Sequence, residues 1–220
     1  MSDKIIAIGD VHGCLQTLKA LWKKLEPYSD LPHLFIGDYI DRGPDSKGVV
    51  DFLMRVKSDR KCIFLRGNHE QMLLDALEQG DSYNWMLNGG ESTLKSYGED
   101  VLVKDIPQEH LQFYRDTQLF YETDDYFFVH AGAPPHQTLQ ESKESERALD
   151  FFLWGRDHLN VFDTPWEKTV VFGHTPRPYP IKKKNMIGID TGCVYKKIGY
   201  GKLTAVLLPE MKFIQQVSLD

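Results

Sequence analysis

The feature that most constrains this chain is a junction that recurs six times. A short apolar, β-branched run stops abruptly at Gly, Asp, Asn or His. The run Lys4–Ile8 leads into GDVHG, His33–Ile36 into GDYIDRG and Lys61–Leu65 into GNHE. Tyr126–Val129 leads into HAG, Thr169–Phe172 into GHT and Met186–Ile189 into DTG. Continuous apolar runs of this length read as strands buried on both faces. Between the first three lie helical stripes. Leu15, Leu18, Leu21, Trp22 and Leu25 form the first, stopped by Pro27. Val49, Val50, Phe52, Leu53 and Val56 form the second, and Met72, Leu73, Ala76 and Leu77, ending near Gly80, the third. Strand–helix–strand alternation implies parallel strands covered by helices. In such a sheet ligands bind beyond the carboxyl ends of the strands, and all six polar motifs fall there.

The rest of the chain is read as one catalytic unit spanning 1–220, with a mainly helical insertion at about 81–118. Within it NGG at 88–90 predicts a turn, and Pro107 opens a helix at 108–116. Residues 119–123 and 126–130 predict a hairpin, 142–153 an amphipathic helix ending near WGRD, and 203–208 with 212–217 a closing hairpin. A chain of 220 residues buries roughly 70% of its unfolded surface and needs no disulfide staples. Cys14, Cys62 and Cys193 have no paired spacing, which argues against a disulfide framework or a thiolate zinc site and for a reducing, cytoplasmic compartment. No apolar run suits a signal peptide or a membrane span. The net charge of −6 disfavours nucleic acid as a partner.

The candidate metal ligands are Asp10, His12, Asp38, Asn68, His130 and His174. Carboxylate, amide oxygen and imidazole without thiolate suit Mn²⁺ first, with Fe or Zn²⁺ also fitting. Six ligands are too many for one catalytic ion with an open position, and about right for two ions sharing a carboxylate. Asp10 and His12 alternate as the chain leaves a strand, and Asp38 arrives from its neighbour. Arg42 beside this set is a natural phosphate clamp, since its planar fork matches two phosphate oxygens. Arg156 in WGRD is a second. Asn68 and His69 are adjacent and should point apart, which leaves His69 free to protonate a leaving oxygen, oriented by Asp41. Two divalent ions lower the pKa of a bridging water towards about 7, and the hydroxide attacks phosphorus in line. The two divalent ions also take the formal charge to about −2, so −6 says nothing against a phosphate substrate.

With GDVHG, GDYIDRG, GNHE, HAG, WGRD and GHTP in order from residue 9 to 176, the sequence resembles the phosphoprotein phosphatase family of metallophosphoesterases. It is similar in particular to the compact bacterial and phage lambda-type serine/threonine protein phosphatases. The resemblance implies an α/β (α+β) fold, the calcineurin-like metallophosphoesterase sandwich of two mixed β-sheets flanked by helices. It implies one ion on Asp10, His12 and Asp38 and another on Asp38, Asn68, His130 and His174. It further implies His69 as general acid paired with Asp41, and phosphate contacts from Arg42, Arg156 and Asn68. HAG and GHT stand where eukaryotic members carry HGG and AHQ, as is usual in bacterial relatives; the chain is shorter than eukaryotic catalytic domains, so their regulatory subunits are not carried over. Symmetrical diadenosine tetraphosphatases typically lose the Asp of DRG and carry GNHD, whereas this chain keeps Asp41 and Glu70.

Each motif also has a bland reading. Strand-end Asp, Asn and His are common in caps and turns, but five of them with two arginines outweigh that. His130 and His174 would each pass alone for hydrogen-bonded core residues, and Arg156 for a surface ion pair. His33, His110, His136 and His158 match no motif and read as surface or packing residues. Trp154 reads as core packing, Cys14 as a small buried residue, and Lys182–Lys184 as a solvated loop. The leading expectation is a metal-dependent phosphomonoesterase acting on phosphoproteins, chiefly at phosphoserine and phosphothreonine. The alternative is a diadenosine or dinucleoside polyphosphate hydrolase, and a third reading is a non-catalytic pseudo-phosphatase that binds phosphoproteins. A metallonuclease is disfavoured by the acidic surface. Neither a membrane nor a regulatory partner is indicated, and the sequence is silent on oligomeric state.

Overall fold

The structure, a computed structural model, describes residues 4–220. The chain runs β1 (Ile5–Ile8), α1 (Leu15–Lys24), β2 (His33–Phe35), α2 (Ser46–Asp59), β3 (Cys62–Phe64) and α3 (Asn68–Gln79). Helical segments α4 (Tyr83–Trp85), α5 (Glu91–Tyr97) and α6 (Gln108–Arg115) follow. Then come β4 (Phe120–Glu122), β5 (Tyr126–Val129), α7 (Leu139–Glu144), α8 (Ala148–Trp154), β6 (Thr169–Phe172), β7 (Ile181–Lys183), β8 (Met186–Gly188), β9 (Lys202–Leu208) and β10 (Lys212–Val217).

The strands form two five-stranded sheets, in the orders β10-β9-β1-β2-β3 and β4-β5-β6-β8-β7. In each, three neighbouring strands are parallel (β1, β2, β3 and β5, β6, β8), and the edge additions are antiparallel. Successive side chains alternate between faces of a strand, and this divides the core into three layers. Ile5, Ala7, Leu34, Ile36, Phe128, Val171, Ile187 and Val206 meet between the sheets. Their neighbours Ile6, Ile8 and Phe35 pack on the α1–α3 side with Leu18, Leu21, Val50, Leu53 and Leu73. Phe127, Val129, Val170 and Phe172 pack on Leu139 and Phe152 of α7 and α8. A strand apolar on both faces therefore lies in the middle of the sandwich, which explains why these runs show no polar alternation. The parallel strands of both sheets end at one edge of the sandwich, so the six motifs meet there.

Local chemistry sets the helix ends. The Asp45 carboxylate accepts from the Gly48 amide at 2.8 Å to start α2. Gly80, at φ 72°, ends α3 in the left-handed region. Thr138 and Glu141 make reciprocal bonds at the start of α7, where Glu141 N donates to Thr138 Oγ1 at 3.1 Å and Thr138 N to Glu141 Oε2 at 2.8 Å. The start of α1 is capped from the far end of the chain: the Gln16 and Thr17 amides donate to Asp220 at 3.2 and 3.0 Å.

Three expectations need correction. The helix expected over 142–153 is two helices, because Ser145 is extended (φ −68°, ψ 136°) and its Oγ accepts from Arg147 N at 3.2 Å, a local bond that competes with the helix. Lys182 and Lys183 belong to the edge strand β7, paired antiparallel with β8, and not to a loop. Charged residues on an edge strand deter pairing with another chain. Trp154, expected in the core, is 40% exposed. Of the four unassigned histidines, His33, His110 and His158 are buried packing residues. No helix among the described residues is long and apolar enough to cross a membrane.

Candidate active site

Asp10 follows β1, Asp38 follows β2, and Asn68 follows β3 at the head of α3. His130 follows β5, and His174 follows β6. The turns that carry them are tight. Seven non-glycine residues among those described have positive φ, and five are candidates for the site: His12 (46°), Asp38 (52°), Asp41 (72°), Arg42 (69°) and His174 (63°). Such conformations cost of order 1–3 kcal/mol each and persist where the surroundings over-determine them. Two glycines permit the close approach. A methyl group on Gly67 would strike the Asp38 carboxylate and amide, and one on Gly173 would strike Asp10 Oδ1.

The side chains converge in two groups. His12, Asp38 and His69 form one, and Asp38, His130 and His174 the other, with ligand-capable atoms within 4.8 Å of one another in each. Asp38 is common to both, and all five are buried. Asp10 lies outside both groups. Its Oδ2 accepts from His174 N at 3.0 Å, and its Oδ1 is buried without a partner. Asn68 Oδ1 lies 2.9 Å from both His130 Nε2 and His174 Nδ1.

The imidazoles carry lone pairs into this space. Burial, foremost, pushes His12 down to about 3 and His174 down to about 2, and lowers His130 as well. All three are therefore neutral near pH 7. The His12 Nδ1–H donates to Ile40 O at 2.9 Å, and the His130 Nδ1–H to Ile36 O at 3.1 Å. A neutral ring with its proton on Nδ1 presents a bare Nε2. His130 Nε2 then faces Asn68 Oδ1 at 2.9 Å and Asp38 Oδ1 at 3.4 Å, three acceptors without a proton between them. That arrangement fits a cation, as does the unpartnered Asp10 Oδ1. For Asp38, burial acts upwards, but His130, His69, His12 and His174 outweigh it and hold its carboxyl far below the usual range.

His69 and Asp41 form a closed relay beside these groups. His69 Nδ1 lies 2.6 Å from Asp41 Oδ2. The carboxylate also accepts from Trp85 Nε1 at 2.8 Å and from Thr93 Oγ1 at 2.6 Å, while Asp41 N donates to Thr93 Oγ1 at 2.9 Å and Ser46 Oγ at 3.0 Å. His69 Nε2 points back to the site, 3.9 Å from Asp38 Oδ2. Burial alone would lower the His69 pKa, but Asp38 and then Asp41 overcome it and raise it, the direction a proton donor needs. Arg42 and Arg156 are exposed at the rim. Arg42 Nη1 donates to His12 Nε2 at 2.8 Å, and Arg156 Nε to Thr175 Oγ1 at 3.2 Å.

Sequence reasoning missed several residues that build this site. Trp85 and Thr93, from the 81–118 segment, hold Asp41, and no local motif marks them. Glu70 accepts from the amides of Asp38 (2.9 Å), Tyr39 (2.8 Å), Ile40 (3.4 Å) and Gly67 (2.9 Å), tying the turn after β2 to the head of α3. Asp190, in the sixth strand-end motif, is buried beside Asp10 and pushed up to about 7, by burial and then by Asp38. Its position in DTG was the available signal.

A sandwich with buried imidazoles and carboxylates at its strand ends, and arginines at the rim, defines a metal-dependent hydrolase of phosphate esters or anhydrides. The chain belongs to the calcineurin-like phosphoesterases, whose family model matches residues 3–196. It is 31% identical to the asymmetrical bis(5′-nucleosyl)-tetraphosphatase PrpE of Oceanobacillus iheyensis, over 98% of this chain and 92% of that protein. It is 32% identical to serine/threonine-protein phosphatase 1 of Salmonella typhimurium, over 86% of each chain. A crystal structure provisionally assigned as a diadenosine tetraphosphatase superposes with a TM-score of 0.72 at 22% identity, covering 100% of this chain and 96% of that one, and supports the fold alone. The expected sandwich of two mixed sheets and the metallophosphoesterase class are thereby established.

Proposed function

We propose that this metallophosphoesterase hydrolyses dinucleoside polyphosphates, cleaving a phosphoanhydride of a dinucleoside tetraphosphate asymmetrically. The observation that carries this reading is end-to-end similarity to proteins named asymmetrical bis(5′-nucleosyl)-tetraphosphatase, which spans 98% of this chain against 86% for the serine/threonine phosphatase relative. It reverses the order of preference drawn from the sequence, where Asp41 and Glu70 favoured monoester hydrolysis.

In this reading Asp10, His12 and Asp38 hold one divalent ion, and Asp38, Asn68, His130 and His174 the other, with Mn²⁺ the best match to the donor set. The ions, when bound, supply charge neutralisation and an activated water. Arg42 and Arg156 orient the phosphate and spread its charge over two guanidinium forks. His69, fixed through Nδ1 by Asp41, delivers a proton from Nε2 to the departing phosphate oxygen, and Trp85 and Thr93 keep Asp41 aimed. Three free thiols accord with a reducing compartment, so we place the enzyme in the cytosol.

The second reading, a serine/threonine protein phosphatase, rests on the Salmonella relative and the intact DRG motif. A side-by-side assay separates the two. With Mn²⁺, diadenosine tetraphosphate should be turned over faster than a phosphoserine peptide and yield ATP and AMP. A higher kcat/KM on the peptide would install the second reading, and two ADP per substrate would refute asymmetric cleavage.

A further inference from the structure

Trp154 is the one tryptophan left substantially open beside the site. Trp85 and Trp166 are buried and donate to Asp41 and to Pro134 O, and Trp22 is half-buried under the Arg60 guanidinium, 4.6 Å from its ring. Trp154 ends α8, 40% exposed, with its ring perpendicular to that of His174 at a centroid separation of 6.0 Å. Two residues on, Arg156 reaches Thr175, the neighbour of His174. A phosphate clamp, an imidazole of the site and an open indole are thus contiguous.

Beside them is a cavity of about 420 Å³ lined by Arg147, Asp150, Phe151, Trp154, Arg156 and Asp157. That volume lies in the range of about 300–1,000 Å³ of small-molecule sites. Its chemistry is mixed. The Arg147 guanidinium stacks 4.9 Å over the Phe151 ring. Asp150 and Asp157 add carboxylates, which repel a polyphosphate chain but accept from exocyclic amines. A flat, neutral, amine-bearing ring attached to a phosphate satisfies all these features, whereas an extended anion does not.

Resting on the dinucleoside polyphosphate reading, we infer that Trp154 is the stacking platform for one nucleobase of the substrate, with the cavity between α8 and Arg156 as the nucleoside subsite. Stacking explains why a large aromatic surface stays in water at this position: base–aromatic contacts recover that burial only when the substrate is bound. Trp154 is then a specificity residue.

The test compares AMP with ribose 5-phosphate, which share the phosphate and sugar and differ by the base. Both are titrated calorimetrically into the Mn²⁺-loaded protein as wild type, Trp154→Phe and Trp154→Ala. Wild type should prefer AMP by roughly 5- to 150-fold, the span of one base stack. Trp154→Phe should keep most of that preference, and Trp154→Ala should bring the ratio close to one. With diadenosine tetraphosphate, Trp154→Ala should raise KM more than it lowers kcat. Equal binding of both ligands by wild type, or a Trp154→Ala loss shared by both, would overturn the subsite and leave Trp154 as packing for His174, even if the tetraphosphate is hydrolysed. If the tetraphosphate is not hydrolysed but the base preference vanishes in Trp154→Ala, the subsite stands and the dinucleotide reading falls.

Discussion

Glu70→Gln tests how the two halves of the site are tied together. Glu70 is fully buried, and its two oxygens accept from four amides, those of Asp38 and Gly67 on Oε2 and those of Tyr39 and Ile40 on Oε1. Glutamine has the same shape but one acceptor oxygen, so an NH₂ group must face two N–H donors. Burial and then Asp38 push the Glu70 carboxyl up to about 7, so the comparison is made at about pH 8, where it is charged; a hydrogen bond to a charged group contributes about 1.5–3 kcal/mol, so losing two costs about 3–6 kcal/mol. The amide will turn its nitrogen to Tyr39 and Ile40, because the Ile40 contact is already long at 3.4 Å. That choice puts the cost in the lower half of the range. At roughly 2–4 °C per kcal/mol for a chain of this size, the melting midpoint should fall by about 6–18 °C. Thermal unfolding followed by circular dichroism measures it, and Mn²⁺ affinity should weaken in parallel, since the two freed amides, of Tyr39 and Ile40, belong to the turn that carries Asp38. A midpoint within about 2 °C of wild type would refute the clamp, because it would mean that these amides are satisfied without the carboxylate.

Four further outcomes are expected. Gly173→Ala should drive Asp10 Oδ1 out of position and weaken Mn²⁺ binding at least about tenfold by calorimetry; unchanged affinity would remove Asp10 from the ligand set. His69→Asn should lower kcat by about 10²–10⁴ while metal content, read by elemental analysis, stays at wild type; an emptied site would make His69 a ligand, as its grouping with His12 and Asp38 permits. His158 is buried with both ring nitrogens unpartnered, edge-on to Phe172, and burial lowers its pKa from 6.5 to about 4. The folded state then binds fewer protons, so stability is intact above pH 6.5 and lost as pH falls towards 4. By linkage this reaches about 3 kcal/mol, and His158→Phe should flatten that limb in urea titrations at descending pH; an identical limb would sink the assignment. Lastly, Mn²⁺ at about a thousand times its Kd should stabilise the protein by about 4 kcal/mol in thermal melts, reversed by chelation; no shift would contradict a resident cation.

The candidate metal ligands were legible in the sequence because each sits within a few residues of a strand end, whereas Arg156 follows α8 and was read from the WGRD motif. A buried strand has a clear signature in a run such as Ile5–Ile8, and a polar residue just past it has few roles open to it. The DRG and GNHE motifs carry the Asp41–His69 pairing as well, since Asp41 and His69 keep fixed offsets from the candidate ligands Asp38 and Asn68. What could not be read is whatever depends on elements distant in the chain. Trp85 and Thr93 reach Asp41 across 44 and 52 residues, and nothing local to them differs from ordinary helix residues. Ser145 breaks a helix that its apolar periodicity supports, because a side-chain bond to Arg147 competes there.

The sequence by itself therefore determined the strand-end architecture and put forward the candidate donors, because hydrophobic periodicity and ligand chemistry are properties of short segments. The tertiary structure decided the rest. It splits the strands into two sheets through the alternation of their inner and outer faces. It sets imidazole lone pairs against carboxylate and amide oxygens at 2.9–3.5 Å, by anchoring the opposite ring nitrogens of His12 and His130 on backbone carbonyls. It also leaves Trp154 open beside His174, where the sequence pattern placed it in the core. A side chain's exposure depends on which elements pack over it, and no window of sequence around Trp154 contains them.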